Sequence, residues 1–369
     1  MTSTKPLTYL IVCCRYIGDV LVTTPLALSI KTAQPDAVVD YLVFEGTEGI
    51  LAKNPHVRTV HTIPNKKASI GKLFSLYRQY DVAIAAYPSD RTVIAAVLAG
   101  RRSFGLIDGW RKDWWKALLL THHNVVYDQI HVVSNMLMPL RMLGIHPVPR
   151  VAAGYDEHDL AFARCRIAAQ RYVILHPYSM KEYKYWAAEK WAALSDMICE
   201  QTNCTALFTR IPDPVGDAYL EQIRSFSSNR VEDIGEVCSF SQLAAIISES
   251  AAFVGVDTAV THLAAAVGAP TVAILGPSLT RYWAPWPNGC LNQSVYAEGN
   301  GIQRHGYVAV VQKDWSCVPC NQDSCRISER SAIECLEQLS VQDVLQVLTI
   351  LLQADDVGAA SLVQEGRVI

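Results

Sequence analysis

Two aspartates in this 369-residue chain stand where an apolar run gives way to a helical pattern, and their neighbours define the chemistry open to them. The later one begins Asp257-Thr258-Ala259-Val260-Thr261-His262, directly after the run Ala252–Val256. A carboxylate, a hydroxyl and unpaired backbone amides at the carboxyl end of a strand suit a phosphate or sugar hydroxyls. His262, in the first helical turn, either faces such a ligand or packs as a semi-buried histidine. The earlier one, Asp19, follows Gly18, whose conformational freedom permits a sharp turn after the first strand. Asp19 either caps the first helix or stands at its positive end as an ionised carboxylate that accepts a proton from an attacking hydroxyl. Its position leaves both readings open. Cys317-x-x-Cys320-x4-Cys325-x9-Cys335 is a third constellation. Four thiolates near one another can hold a structural zinc or iron, or the residues can remain reduced packing cysteines; both readings stand.

Positioning such groups takes a particular kind of scaffold. Short β-rich apolar runs alternate with helical segments, the pattern of parallel sheets covered by helices on both faces. Strands are expected at Tyr9–Cys13, Val38–Phe44, Val57–Ile63, Val82–Ala86 and Arg102–Gly105, with helices at Pro25–Gln34, Ser69–Gln79 and Asp90–Leu98. The rhythm restarts with strands at Tyr172–Leu175, Thr205–Thr209, Val231–Asp233, Ala252–Val256 and Thr271–Leu275 and helices at Ala188–Gln201, Asp217–Ser225, Ser239–Glu249 and Thr261–Val267. Between the two series, residues 147–171 mix charge with Pro147, Pro149 and Gly154, which places a boundary near residue 165. The expected domains are therefore 1–165 and 166–369, the second including a Cys-rich segment at 317–335 and an amphipathic terminal helix over Ser340–Ala354. Two such α/β domains would face a central cleft from the carboxyl ends of their parallel sheets.

Composition removes several classes. Half the residues are hydrophobic and 18% charged, so a large core forms and disorder is excluded. Lys and Arg total 32 against 35 Asp and Glu, a formal charge of −3 that argues against a nucleic-acid partner. Neither Gly-x-Gly-x-x-Gly nor the P-loop signature occurs, which sets aside ordinary dinucleotide dehydrogenases and P-loop enzymes. The apolar start Leu7–Cys14 is too short to span a membrane, and the uncharged stretch near 259–280 is broken by Gly268, Pro270, Gly276 and Pro277. Eleven cysteines in a chain of this length are too sparse for a disulfide scaffold, which points to the cytoplasm.

The segments Tyr16-Ile17-Gly18-Asp19-Val20-Leu21-Val22-Thr23-Thr24-Pro25 and Val254-Gly255-Val256-Asp257-Thr258-Ala259-Val260-Thr261-His262, the latter continuing to Gly276-Pro277-Ser278, resemble the paired signatures of the ADP-heptose heptosyltransferases of glycosyltransferase family 9. The resemblance extends in order over most of the chain. It implies the GT-B architecture of two Rossmann-like domains, the first receiving the acceptor and the second the nucleotide-sugar donor. It places the family's base on Asp19 and its late Asp-Thr/Ser-Gly-x-x-His motif on Asp257, Thr258 and His262. Ala259 departs from the usual glycine, which narrows the approach of backbone to phosphate.

A similar strand, hydroxyl residue and Lys-x-Trp in the family match Ser179, Lys184 and Trp186. The lysine would neutralise the diphosphate as charge develops on the leaving group, while Trp186 and Trp191 pack their helix on the sheet. Related glycosyltransferases use an acidic residue for the nucleotide's ribose in the region of Asp213 and Asp217. Asp217 is the candidate here, with capping of a helix from Ala218 as its alternative. In the acceptor domain, Arg101 and Arg102, together with Trp110-Arg111-Lys112-Asp113-Trp114-Trp115-Lys116, set cations beside tryptophans. The resemblance favours Arg101 and Arg102 as contacts to an acidic acceptor.

The implied activity is inverting, metal-independent transfer of heptose from ADP-heptose to the inner core of lipopolysaccharide. The resemblance implies that no cofactor is required for catalysis, and the absence of any Asp-x-Asp is consistent with this. The protein would lie in the cytoplasm, in peripheral contact with the inner face of the inner membrane. The alternative is a nucleotide-sugar transferase acting on a protein, as in the autotransporter heptosyltransferases with their cysteine-bound iron, or on a small saccharide.

Overall fold

Strands buried on both faces need near-continuous apolar runs, and Thr8–Cys13 (TYLIVC) is buried from its second residue onward. In the computed structural model, which describes residues 5–65, 70–292, 294–296, 300–325 and 333–364, it is β1 of a six-stranded parallel sheet. The other members are β2 (Val38–Phe44), β3 (Thr59–Ile63), β4 (Tyr80–Ala85), β5 (Gly100–Ile107) and β6 (His122–Val125), in the order β3-β2-β1-β4-β5-β6. The order reverses between β1 and β4, which leaves a crevice beyond their carboxyl ends.

A second sheet repeats the scheme. It contains β7 (Tyr172–His176), β8 (Thr205–Phe208), β9 (Glu232–Asp233), β10 (Ala252–Val256), β11 (Thr271–Ile274), β12 (Ile302–His305) and β13 (Val308–Val311), in the order β12-β13-β11-β10-β7-β8-β9. Only β12 runs antiparallel to its neighbour. Here the reversal falls between β7 and β10.

Helices pack on both sheets with the termini their sequences specify. Ser239 and Gln242 form a capping box at the start of Phe240–Ser248, and Thr258 caps Ala259–Val267 by accepting from the Val260 amide. That helix ends at Gly268, whose φ of 88° is the left-handed conformation that glycine adopts without strain. Trp186 and Trp191 are fully buried and meet edge to face at 5.3 Å, with the Trp186 indole donating to the Leu339 carbonyl. They pack the helix Ala188–Gln201 on its sheet, as expected. The terminal helix Val341–Gln364 buries Val344, Leu348, Leu351 and Leu352 in the same core.

The chain divides into two compact units, 1–155 with 288–294, and 156–287 with 295–369. The division falls ten residues before the expected boundary near 165. The segment 156–165 belongs to the second unit because Asp156 and Asp159 form a capping box that starts the helix Glu157–Arg166, which packs on Phe240–Ser248. Asn288 joins the first unit by exchanging two 2.9 Å hydrogen bonds with the Val151 backbone. The helices Trp110–Leu119 and Glu157–Arg166 and the strands β6, β12 and β13 have no counterpart in the expected elements, and the helix expected from Ser69 runs over Ile70–Ser75, Ser69 itself lying outside the described residues.

Candidate active site

Both sequence-marked aspartates stand at the point where the strand order of their own sheet reverses. In the first unit, β1 ends at Cys13 and the short helix Ile17–Val22 follows. Tyr16 takes the N-cap position and Asp19 lies in the first turn, so Asp19 is not the cap. Its side chain is 7% exposed, and Arg15 Nε stands 3.6 Å from Asp19 Oδ2. The Arg15 guanidinium lies 4.1 Å from the centre of the Tyr87 ring, just beyond β4. One arginine thus links the ends of the two strands that flank the reversal. Burial raises the Tyr87 phenol above its ordinary value against the opposing charge of Arg15.

Lys116 supports the same edge from behind. It is 3% exposed, and its ammonium donates to the Pro88 carbonyl at 2.6 Å and pairs with Asp90 and Asp113, each at 2.8 Å. Asp113 in turn accepts from the Asp108 amide at 2.7 Å. Three donors of the lysine therefore hold the loop after β4 to the helix Trp110–Leu119.

In the second unit the reversal is bridged by an ion pair. Lys184, in the loop after β7, donates to Asp257 Oδ2 at 2.6 Å, and Ser278, after β11, donates to the same oxygen at 2.6 Å. Burial alone would raise the Asp257 carboxyl, but the Lys184 charge and the two hydrogen bonds outweigh it and hold the group below the usual carboxylate range. His262 stands on the helix that Thr258 caps. It is 9% exposed, its Nδ1 is buried without a hydrogen-bond partner among the described residues, and burial lowers its pKa. A cation, hydroxyls, a helix N-terminus and an unsatisfied imidazole nitrogen meet here in one place. This set suits an anionic, hydroxyl-bearing ligand.

Lys184, Asp257, Thr258 and His262 are thus gathered around the β7–β10 reversal. Ser179 lies in the same β7 loop, where its hydroxyl accepts from the Lys181 amide at 3.2 Å. Asp217 does not cap its helix. That helix is Pro214–Phe226 with Asp213 at the cap, because Pro214 suits the first helical position and the Asp213 carboxylate accepts from the Val215 amide. Asp217, 54% exposed, pairs instead with Arg210 at 2.6 Å at the end of β8.

Arg101 and Arg102 are not brought to Asp19. They begin β5, whereas Asp19 follows the end of β1, and the two strands run parallel with β4 between them. The eight residues of β5 put roughly 20 Å between its ends. The side chains that do surround Asp19, Arg15 and Tyr87, escaped sequence reasoning. Arg15 carried one signal, its place in the turn immediately after the first strand. Ser278 carried another, following Gly276-Pro277 at a strand end.

Cys317, Cys320, Cys325 and Cys335 lie in the second unit, with residues 326–332 of that segment outside the described residues. Burial pushes the Cys335 thiol up to about 11, with the other three cysteines adding to the effect. Among the described residues, however, no group of three or more Cys, His, Asp or Glu side chains is arranged to hold a metal ion.

Comparison with known proteins places the chain in a family. The family model of glycosyltransferase family 9 (heptosyltransferase) matches residues 74–305. Lipopolysaccharide heptosyltransferase 3 of Escherichia coli is 28% identical over 298 residues, covering 75% of this chain and 86% of that protein. The crystal structure of a family 9 glycosyl transferase from Veillonella parvula superposes with a TM-score of 0.77 at 17% identity, over 96% of this chain and 99% of that one. E. coli heptosyltransferase WaaC with ADP-2-deoxy-2-fluoro heptose gives a TM-score of 0.67 at 18% identity, over 93% and 99%. The last two likenesses carry the fold, two parallel α/β units of the GT-B kind, and the family model carries the membership. The chain belongs to glycosyltransferase family 9, the heptosyltransferases.

Proposed function

We propose that the protein transfers heptose from ADP-heptose to a sugar of the lipopolysaccharide inner core, with inversion at the anomeric carbon and without a catalytic metal ion. The observation that carries this reading is the Lys184–Asp257–Ser278 cluster beside the N-terminus of Ala259–Val267. An ammonium has three donors, and Asp257 occupies one. The remaining donors are directed to the diphosphate, where a divalent cation acts in other transferases. The Thr258 hydroxyl and the first amides of the helix add neutral donors, and the unsatisfied His262 Nδ1 takes up a polar group of the donor. Asp257 keeps Lys184 oriented and offers its second oxygen to a sugar hydroxyl. Ser179 and Asp217 extend the donor contacts towards the phosphate and the ribose.

Asp19 acts as the base. It removes the proton from the acceptor hydroxyl, whose oxygen forms the new bond to the anomeric carbon as the bond to the β-phosphate oxygen breaks. ADP leaves with the electron pair and the added negative charge, stabilised by Lys184. Arg15, 3.6 Å away, keeps Asp19 oriented. The first unit is then the acceptor domain and the second the donor domain, with the acceptor presented at a membrane surface.

The deciding experiment is transfer of heptose from ADP-heptose to deacylated core oligosaccharide in excess EDTA, run beside a protein serine acceptor. Transfer to the oligosaccharide with a product of inverted anomeric configuration is expected. Transfer to the protein alone, or abolition of transfer by EDTA, would overturn the proposal.

A further inference from the structure

The helix Trp110–Leu119 is inverted relative to an ordinary surface helix. Its inward positions, 113, 116, 117 and 120, follow helical spacing, yet two of them are the charged Asp113 and Lys116, 1% and 3% exposed. Its outward positions hold Trp110, before a kink at Asp113 (φ −116°, ψ 23°), and Trp114 and Leu118 after it, with Leu119 beside them. These four are among the most exposed large apolar side chains of the chain, at 59%, 58%, 73% and 50%. The energetics of folding do not favour this arrangement. Burying a charged pair is costly, and leaving two indoles in water forgoes the stabilisation that their burial would bring.

The surroundings of this apolar stripe are cationic. Arg111, on the same helix, is exposed and makes no ion pair among the described residues. Lys112 is neutralised by Asp108 at 2.5 Å. At the other end of the helix, Ser103 and Thr121 exchange hydrogen bonds of 2.9 and 3.2 Å, which sets the exposed Arg101 and Arg102 on the strand beside Leu119 and Leu120. Asp113 is buried and Asp90 exposed, and Lys116 pairs with both. The exposed Asp90 and Asp108 are each paired with a lysine, so among the described residues the unpaired exposed charge along the helix is that of Arg111 and is positive. Indoles at a rim of arginines, with leucines between, match a bilayer surface carrying anionic headgroups. The rings lie at headgroup level, the leucines reach the acyl boundary and the guanidinium groups meet phosphates.

We propose that Trp110, Trp114, Leu118 and Leu119, with Arg111, Arg101 and Arg102, form a docking face for an anionic phospholipid bilayer. Arg101 and Arg102, distant from Asp19, acquire a role here as headgroup contacts. Because Lys116 ties this helix to the loop at Pro88 and Asp90, docking would also hold the acceptor edge of the first unit at a defined place relative to the membrane.

The test is flotation of the full-length protein with vesicles of phosphatidylcholine alone or with about one third phosphatidylglycerol. Binding to the anionic vesicles is expected, weakening as salt is raised to about 0.5 M, together with a blue shift of tryptophan emission. The double substitution Trp110→Ser/Trp114→Ser should lower partitioning at least about tenfold, and Arg111→Glu several-fold. If the double variant does not fold, Leu118→Glu serves in its place, checked by an unchanged thermal midpoint. Wild-type protein that fails to float, or a folded variant that floats equally well, would overturn the proposal. So would self-association in lipid-free buffer that the double variant abolishes, which would assign the face to a second copy of the chain. Flotation without heptose transfer would uphold the docking face and sink the function proposed above.

Discussion

Lys184 and Asp257 lie 73 residues apart, and their 2.6 Å contact spans the reversal between β7 and β10. The pair is only partly buried, with side-chain exposures of 22% and 12%, so it remains open to a ligand. Ser278 donates to the carboxylate oxygen that Lys184 also uses, which fixes the cation rather than merely neutralising it.

Substituting Lys184 should therefore affect the chemical step more than the fold. Lys184→Gln is expected to lower kcat by about 10² to 10³, the usual loss for one donor on developing negative charge. Thermal stabilisation by ADP should shrink in parallel, as measured by a shift in Tm with and without the nucleotide. A variant that retains both would remove Lys184 from the diphosphate.

Asp19 tests the other half of the chemistry. Asp19→Asn keeps the shape and removes the base, so kcat should fall at least about 10²-fold while donor binding stays within a few-fold. Arg15→Ala is expected to lower kcat several-fold while KM for the donor stays within about twofold, because it removes the cation that stands 3.6 Å from the carboxylate. An unchanged kcat would show that Arg15 does not act through Asp19.

The buried histidines set an acid limit on stability. His176 is held neutral by burial, its pKa lowered to about 3, and its Nδ1 meets the Thr209 hydroxyl at 2.7 Å. The unfolded chain takes up a proton near pH 6.5 while the folded one does not, so stability falls as pH drops from about 6.5 towards 3. His262, lowered in the same direction, adds to this slope. Urea midpoints measured from pH 7.5 down to about 4.5 should decline, and His176→Gln should flatten the decline. An equally steep decline in that variant would place the acid sensitivity elsewhere.

Thr258 has a structural duty and a proposed donor contact, and two substitutions separate them. Thr258→Ala removes the cap on Ala259–Val267 and should cost about 1 kcal/mol of stability along with donor affinity. Thr258→Ser retains the hydroxyl and should restore both. Thermal melts and KM for the donor report the two effects independently.

Much of this protein was decided locally. The run Tyr9–Cys13 is apolar throughout and could only be a buried strand, and Thr258 before Ala259–Val267 with Gly268 after it marks both ends of one helix. Hence the α/β class and the positions of Asp19, Lys184 and the Asp257 motif were legible, since each depends on a turn of a few residues at a strand end. The consequences of strand order were not legible. That order brings Arg15 to Tyr87 and sends Arg101 and Arg102 to the far end of β5, whereas Lys184 and Asp257 are expected at one site through the resemblance to the family. Parallel neighbours are joined by long crossovers, so which loops share an edge is settled by sheet packing and not by spacing along the chain. The inverted helix Trp110–Leu119 shows the same division. Its mixed composition gives no apolar stripe that would point inward, and only the anions at Asp90 and Asp113, gathered around Lys116, determine which face is buried and leave the tryptophans outside.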